Sequence, residues 1–410
     1  MSDDTTSDDA EFAFTAMDQD KTKDWDLLAR IRATRPVYRP SEGMVFTGRY
    51  AETQRGFKET KTFSSVGDMR APGVVVPEEE SFLGELDAPL HPRIRRLLLP
   101  SFSPAAAARA EPWTRANVRR RLEALRDRGA GDLMADLATP LPGAVAAHEL
   151  GIPDDLHDQA MTWCNELLHS TWPTMGETER GVGIEGAFPE FAAMLDGLIA
   201  DRLAAGPDAP ADLLSAMLLT EADDGWQLSP HHARTLAINV MAGSLSASYM
   251  IGNLLHRLLT DRTGFAERLR SDPALIPAAI EESLRYEAPV MFLFRSAKAE
   301  TELGGCPIHA GEHLMLGIGS SGRDESVYED AGEFRLDRRD APEHLAFGAG
   351  AHLCLGNHLT RMVGRVVLEE TLDLFPGETL RLAPGFTWEC VDHMLEFGPE
   401  RLDVVVAADA

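Results

Sequence analysis

Cys354 stands in the run Phe347-Gly348-Ala349-Gly350-Ala351-His352-Leu353-Cys354-Leu355-Gly356, directly before a helical pattern that begins at Asn357. Cysteine chemistry is thiolate chemistry, and this run favours the thiolate in several ways. Its glycines let the backbone turn tightly and come close to a flat ligand. The amide N–H groups of the turn and the positive end of the following helix stabilise negative charge on sulfur. Phe347 and Leu355 add apolar cover. The pattern therefore predicts a sulfur ligand with one open side. A structural cysteine beside a glycine-rich turn is the bland alternative.

Other residues fall at spacings that place them together. Glu282 and Arg285, i and i+3 in the helical pattern 275–287, share a face. So do His91 and Arg95, i and i+4 within Asp87-Ala88-Pro89-Leu90-His91-Pro92-Arg93-Ile94-Arg95, and two cations on one face suit an anionic ligand. Each pair alone reads equally well as a solvated surface. The longest helical pattern opens with Ser229 as N-cap and Pro230 at the first position, then runs to Arg262 without another proline. It is expected to be one unbroken rod of roughly 45 Å. Its small-residue patch Ala242-Gly243-Ser244 gives up helix stability, which points to close approach at Gly243.

Taken together these segments resemble the cytochrome P-450 family. The family's F-G-x-G-x-H-x-C-x-G loop is filled at all six fixed positions, and D-x-P-x-H-x-x-x-R is matched from Asp87 to Arg95. Its E-x-x-R is matched by Glu282 and Arg285, and Arg338 in Phe334-Arg335-Leu336-Asp337-Arg338 fits the arginine that closes the set. The resemblance extends from the Asp24-Trp25-Asp26 opening to the C-terminal strand.

It implies a mainly α fold with small peripheral β-sheets. It also implies haem b (iron protoporphyrin IX), with Cys354 as the axial ligand to iron in a loop shaped by Phe347, Gly348 and Gly356. His91 and Arg95 would meet one propionate, Arg295 and His352 the other, and Glu282, Arg285 and Arg338 would form a structural triad. Thiolate ligation favours O–O cleavage. The implied activity inserts one oxygen atom from O₂ into a small apolar organic substrate, by hydroxylation or oxidative demethylation. Electrons would come from NAD(P)H through a separate reductase and a ferredoxin or flavodoxin, because no flavin or nicotinamide motif occurs here. Val290, Met291, Phe292, Leu293 and Leu245 are the implied substrate-lining residues, with Trp163, His169, Trp172 and Met175 in the lid region.

Two departures stand out. Where the family has Ala-Gly-x-(Asp/Glu)-Thr, this chain has Ala242-Gly243-Ser244-Leu245-Ser246, so the acid is lost and the alcohol shortened. Ser246 becomes the candidate proton relay, beside Ala242 and Gly243. The lost acid motivates a peroxide-using or oxidative-coupling alternative, although relatives of the peroxide-using kind carry an arginine in the long helix and residues 239–250 contain none. A non-enzymatic haem-thiolate sensor is the third reading. Gly322-Arg323-Asp324 also stands where Asn-Arg-Asp is usual.

Composition narrows the partners. The chain has 410 residues, 44% of them hydrophobic, and a net charge of −27. Such an acidic surface repels nucleic acid and anionic membranes. Residues 1–20 are expected to form a disordered acidic tail, and 21–410 a single domain without a visible linker. Four dispersed cysteines suit a reducing cytoplasm, and no stretch is long and apolar enough to span a bilayer. A cytoplasmic monomer is expected. Helical patterns fall near 105–128, 140–150, 154–170, 187–204, 210–219, 230–260, 263–270, 275–287 and 356–375, and strand patterns near 36–47, 290–305, 312–317 and 401–406. Arg93, Arg96, Arg361 and Arg365 form a candidate docking patch for an acidic electron carrier.

Overall fold

The structure, a computed structural model, describes residues 13–66, 77–171, 188–261, 264–338, 343–377 and 379–407, with the side chains of 168–171 outside the description. It is mainly helical with small sheets. The chain packs as two compact units, each assembled from discontinuous segments. A chain that crosses between units several times leaves no composition shift to mark a boundary.

The first unit comprises Met1–Asp68, Gly252–Cys354 and Thr387–Glu400. Its main sheet runs in the order Tyr38–Ser41, Met44–Thr47, His313–Leu316, Leu293–Ala297, Phe63–Ser64. Met44–Thr47 and His313–Leu316 pair in parallel, and the other neighbours are antiparallel. Val45, Leu314 and Leu316 of these strands are fully buried, with Phe57, Phe63 and Ile318 in the same core. Phe14 is buried and meets Phe46 edge-on, and one aromatic side chain buries enough apolar surface to anchor its segment. Asp24 caps Trp25–Thr34 by accepting from the amides of Asp26 and Leu27.

The second unit comprises Met69–Ile251, Leu355–Phe386 and Arg401–Ala410. Its core is built from helices Leu90–Leu98, Pro140–Glu149, Pro189–Ala205, Leu213–Leu219 and Pro230–Ser244, around Phe191, Leu195, Met217, Leu236 and Met241. Helices Pro104–Arg128 and Asn357–Leu374 are tied by a ladder of ion pairs. Arg115 binds Glu111, Glu369 and Glu370, Arg119 binds Glu370 and Asp373, and Arg365 binds Glu111 and Glu369. A three-stranded sheet joins Ala130–Asp132, Asp403–Val406 and Leu380–Leu382.

The expected rod is two helices, Pro230–Ser244 and Ser246–Thr260. Around Leu245 the spacing tightens: its amide donates to Ala242 O at 3.2 Å, and Ser248 N donates to Leu245 O at 3.0 Å. The Ser244 hydroxyl donates to Met241 O at 2.6 Å, which competes locally with the regular helical pattern. Leu245 keeps helical torsions (φ −61°, ψ −40°), so the chain tightens without a sharp bend.

Burial makes a clear chemical distinction among the cysteines. Cys164 is fully buried, which pushes its thiol up to about 12, whereas Cys306 is partly exposed. Iodoacetamide at pH 8 should modify Cys306 in the native protein and leave Cys164 untouched. Equal labelling of the two, read by peptide mass, would contradict the packing.

Candidate active site

Cys354 ends a loop whose geometry is set by main-chain bonds within the first unit. Its amide donates to Phe347 O at 2.8 Å, Gly348 N donates to Leu345 O at 2.8 Å, and Leu353 N donates to Gly350 O at 3.2 Å. These close the turn that brackets the short 3₁₀ segment Gly350–His352. Gly348 and Gly350 hold φ of +69° and +72°. At Gly350 there is also no room, since a Cβ would lie 3.0 Å from Lys58 Cα and 3.3 Å from Phe57 O. Cys354 is partly exposed and its neighbour Leu353 is one of the few exposed large apolar residues.

The loop is anchored from behind by His344. Ala346 N donates to His344 Nδ1 at 3.2 Å, so Nδ1 is the acceptor and the proton sits on Nε2, which donates to Glu281 Oε2 at 3.1 Å. His344 and Phe347 are ring neighbours at 5.8 Å. Sequence reasoning missed this histidine; its position three residues before Phe347 was the available signal.

Glu282, Arg285 and Arg338 come together. Arg285 donates through Nε and Nη2 to both oxygens of Glu282, at 2.7 and 2.6 Å. Arg338 Nε donates to the same carboxylate at 2.9 and 3.1 Å, and Arg335 N adds a bond at 2.7 Å. Arg285 Nη1 reaches the carbonyls of Gly322 and Ala331. Gly322 has a reason of its own: a Cβ there would lie 2.2 Å from Arg285 O. Arg323 stacks between Trp25 and Tyr286 at 3.6 and 3.9 Å, and Asp324 accepts from Tyr50 N at 2.7 Å. The Gly-Arg-Asp departure is thus a packing solution.

Arg295 lies buried on strand Leu293–Ala297, its guanidinium 5.4 Å from the Phe57 ring. His352 Nε2 and Ser65 Oγ lie 3.3 Å apart. Of the implied lining residues in this unit, Met291 and Phe292 are 2% and 1% exposed and fill the core. Val290 and Leu293, flanking them, keep some exposure. Met291 N donates to Leu395 O, and Val290 pairs with Glu396.

In the second unit, His91 is buried on Leu90–Leu98 with Arg95 one turn on, partly exposed. Ala242, Ser244, Leu245 and Ser246 are partly exposed and Gly243 is exposed, in a helix pair whose other turns are largely buried. A Cβ on Gly243 would meet nothing within 4 Å. The close approach expected there is therefore not to protein among the described residues, and a flat prosthetic group would find room at this position. Leu245 packs on the helical core, and Ser244 is engaged with Met241. Trp163 stacks on Phe191 at 5.7 Å, while Trp172, Met175 and the side chain of His169 lie outside the described residues.

Comparison with known proteins decides the family. The cytochrome P450 family model matches residues 255–383. Erythromycin C-12 hydroxylase of Saccharopolyspora erythraea is 31% identical, over 87% of this chain and 88% of that enzyme. The chain belongs to the cytochrome P450 family. Steroid C26-monooxygenase of Mycobacterium tuberculosis is 30% identical over 84% of this P450 and 90% of its own length. A mutant of P450 EryK solved with erythromycin B superposes with a TM-score of 0.79, at 28% identity, covering 95% of this chain and 97% of that one. This P450 is accordingly a haem-dependent monooxygenase with the P450 fold, an oxidoreductase that incorporates oxygen into its substrate. No helix among the described residues is long and apolar enough to cross a membrane.

Removing one charge from the carboxylate cluster should be costly. Glu282→Gln leaves two largely buried guanidinium groups without a counter-charge, and about 3–5 kcal/mol of stability should be lost. Urea unfolding measures it. An unchanged midpoint would show that the cluster carries no structural load.

Proposed function

We propose that this P450 binds haem b through Cys354 and hydroxylates or oxidatively demethylates an apolar substrate, drawing electrons from NAD(P)H through a reductase and a ferredoxin or flavodoxin. The observation that carries the reading is the cysteine loop, whose main-chain bonds and left-handed glycines present a sulfur at its end. Haem held by a thiolate supplies reductive activation of dioxygen. His91 and Arg95 would hold one of its carboxylates, and Arg295 and His352 the other. Gly243 gives the flat group room.

The relatives' names guide the substrate. One acts on erythromycin and another on a steroid, which favours a macrocyclic or polycyclic apolar skeleton here. Val290, Leu293 and Leu245 offer no charge to it.

Proton delivery falls to Ser246. The Ser244 hydroxyl is spent on Met241 O, whereas the Ser246 hydroxyl has no hydrogen bond to protein among the described residues. Leu245, packed on the core, takes no part. Ser246→Ala should raise peroxide released per NAD(P)H severalfold while leaving substrate affinity within about twofold, since a water-excluded site needs a positioned donor. Unchanged coupling would place proton delivery elsewhere. Turnover that runs faster with added peroxide than with any reductase system would favour the peroxide-using reading instead.

The docking patch is narrower than the four arginines expected. Arg93 is paired with Asp224 and stacked on Trp226, and Arg365 is engaged by Glu111 and Glu369. Arg361 donates to Asn357 at 2.8 Å, and Arg96 is exposed. Arg96→Glu should slow reduction by an acidic ferredoxin, with the difference vanishing at high salt because exposed charges are screened. A salt-independent rate would remove Arg96 from the docking surface. The overall reading is tested with ¹⁸O₂: testosterone and erythromycin B are screened for a high-spin shift, and one ¹⁸O atom should enter the product of whichever binds. Product oxygen drawn from water would refute a monooxygenase.

A further inference from the structure

Asn239 lies on Pro230–Ser244, four residues before Gly243 and seven before Ser246, so the three share a helical face. That face is the uncovered one. Leu236, Ala237, Ile238 and Met241 are buried, whereas Asn239, Ala242, Gly243 and Ser246 keep exposed surface. Its surroundings in the second unit are apolar, with Val240, Leu245 and Phe82 packed around the same core. A carboxamide in such company costs free energy unless both ends find partners.

One end has a partner. Asn239 Oδ1 accepts from Leu83 N at 3.1 Å. A main-chain amide can only donate, so the oxygen must face Leu83 and the NH₂ group must face away; the usual ambiguity in amide orientation is removed by chemistry. The segment that carries Leu83 is itself strapped to this helix. Thr235 Oγ1 donates to Glu79 O at 2.8 Å, and Ser229 Oγ donates to Glu79 Oε1 at 3.2 Å. The carboxamide is therefore held in place, with two N–H donors and no protein acceptor for them among the described residues.

We infer that Asn239 is a specificity-determining residue: its NH₂ group donates to a carbonyl or hydroxyl oxygen on an otherwise apolar substrate. The inference rests on the monooxygenase reading and refines it, by selecting oxygen-bearing skeletons over hydrocarbons of the same shape. A single donor in an apolar setting discriminates strongly, because the wrong ligand leaves it without an acceptor.

The test uses two matched pairs, progesterone with 5α-pregnane and nootkatone with valencene, titrated into the haem-loaded protein and read by the shift in the haem spectrum. Wild type should bind at least one ketone more tightly than its hydrocarbon. Asn239→Asp keeps an acceptor for Leu83 N but removes both N–H donors, and should cut that preference by about tenfold. Asn239→Leu should lose the preference too, with faster amide exchange in the peptide containing Leu83. Hydrogen exchange unchanged in Asn239→Asp would separate loss of the donor from loosening of the segment. A wild type with no preference for either ketone, non-binding included, overturns the inference, as does a preference that survives Asn239→Asp. Failure of the underlying reading looks different: the reduced protein with carbon monoxide would then lack the red-shifted band of thiolate ligation.

Discussion

One buried carboxylate organises the first unit. Glu282 takes the guanidinium groups of both Arg285 and Arg338, and the amide of Arg335, onto two oxygens. Such a cluster contributes little net stability relative to an apolar core, but once built it is costly to break, so it acts as a constraint on geometry. Arg285 spends its remaining donors on the carbonyls of Gly322, Ala331 and Glu333. The helix Ile276–Tyr286 is thereby locked to the irregular segment that leads to the cysteine loop. One residue earlier on the same helix, Glu281 holds His344, which fixes the start of that loop. Two adjacent carboxylates, each with a different task, carry order from a regular helix into a segment with no periodicity of its own.

In the second unit, order is relaxed where chemistry is expected. The helix pair is largely buried within each helix and tightens at Leu245, where the backbone shifts to shorter-range bonds and a serine hydroxyl turns inward. The result is a short stretch with exposed backbone, a glycine without a neighbour and one hydroxyl without a protein partner among the described residues. Leu245, where the family has an acid, packs against the apolar core of this unit.

Much of this was legible in the sequence because it is local. Ser229-Pro230 fixed where the long helix starts, E-x-x-R spacing placed Glu282 against Arg285, and the glycines around Cys354 marked its loop. What escaped was set by tertiary context. Helices Trp25–Thr34 and Tyr50–Lys58 and strands Phe63–Ser64, Ala130–Asp132 and Leu380–Leu382 are short, and pairing partners far along the chain hold the strands in place. Arg93 and Arg365 looked available because a sequence does not show Asp224 or Glu111 beside them. Asn239, a lone amide in an apolar helix, was a signal passed over.

The account depends most on sulfur reaching iron from Cys354. X-ray absorption at the iron edge of the haem-loaded protein measures this directly. Wild type should show a sulfur atom in the first coordination shell, and Cys354→Ala should show only nitrogen or oxygen there. A sulfur shell that persists in Cys354→Ala, or is missing from wild type, would contradict the account at its centre.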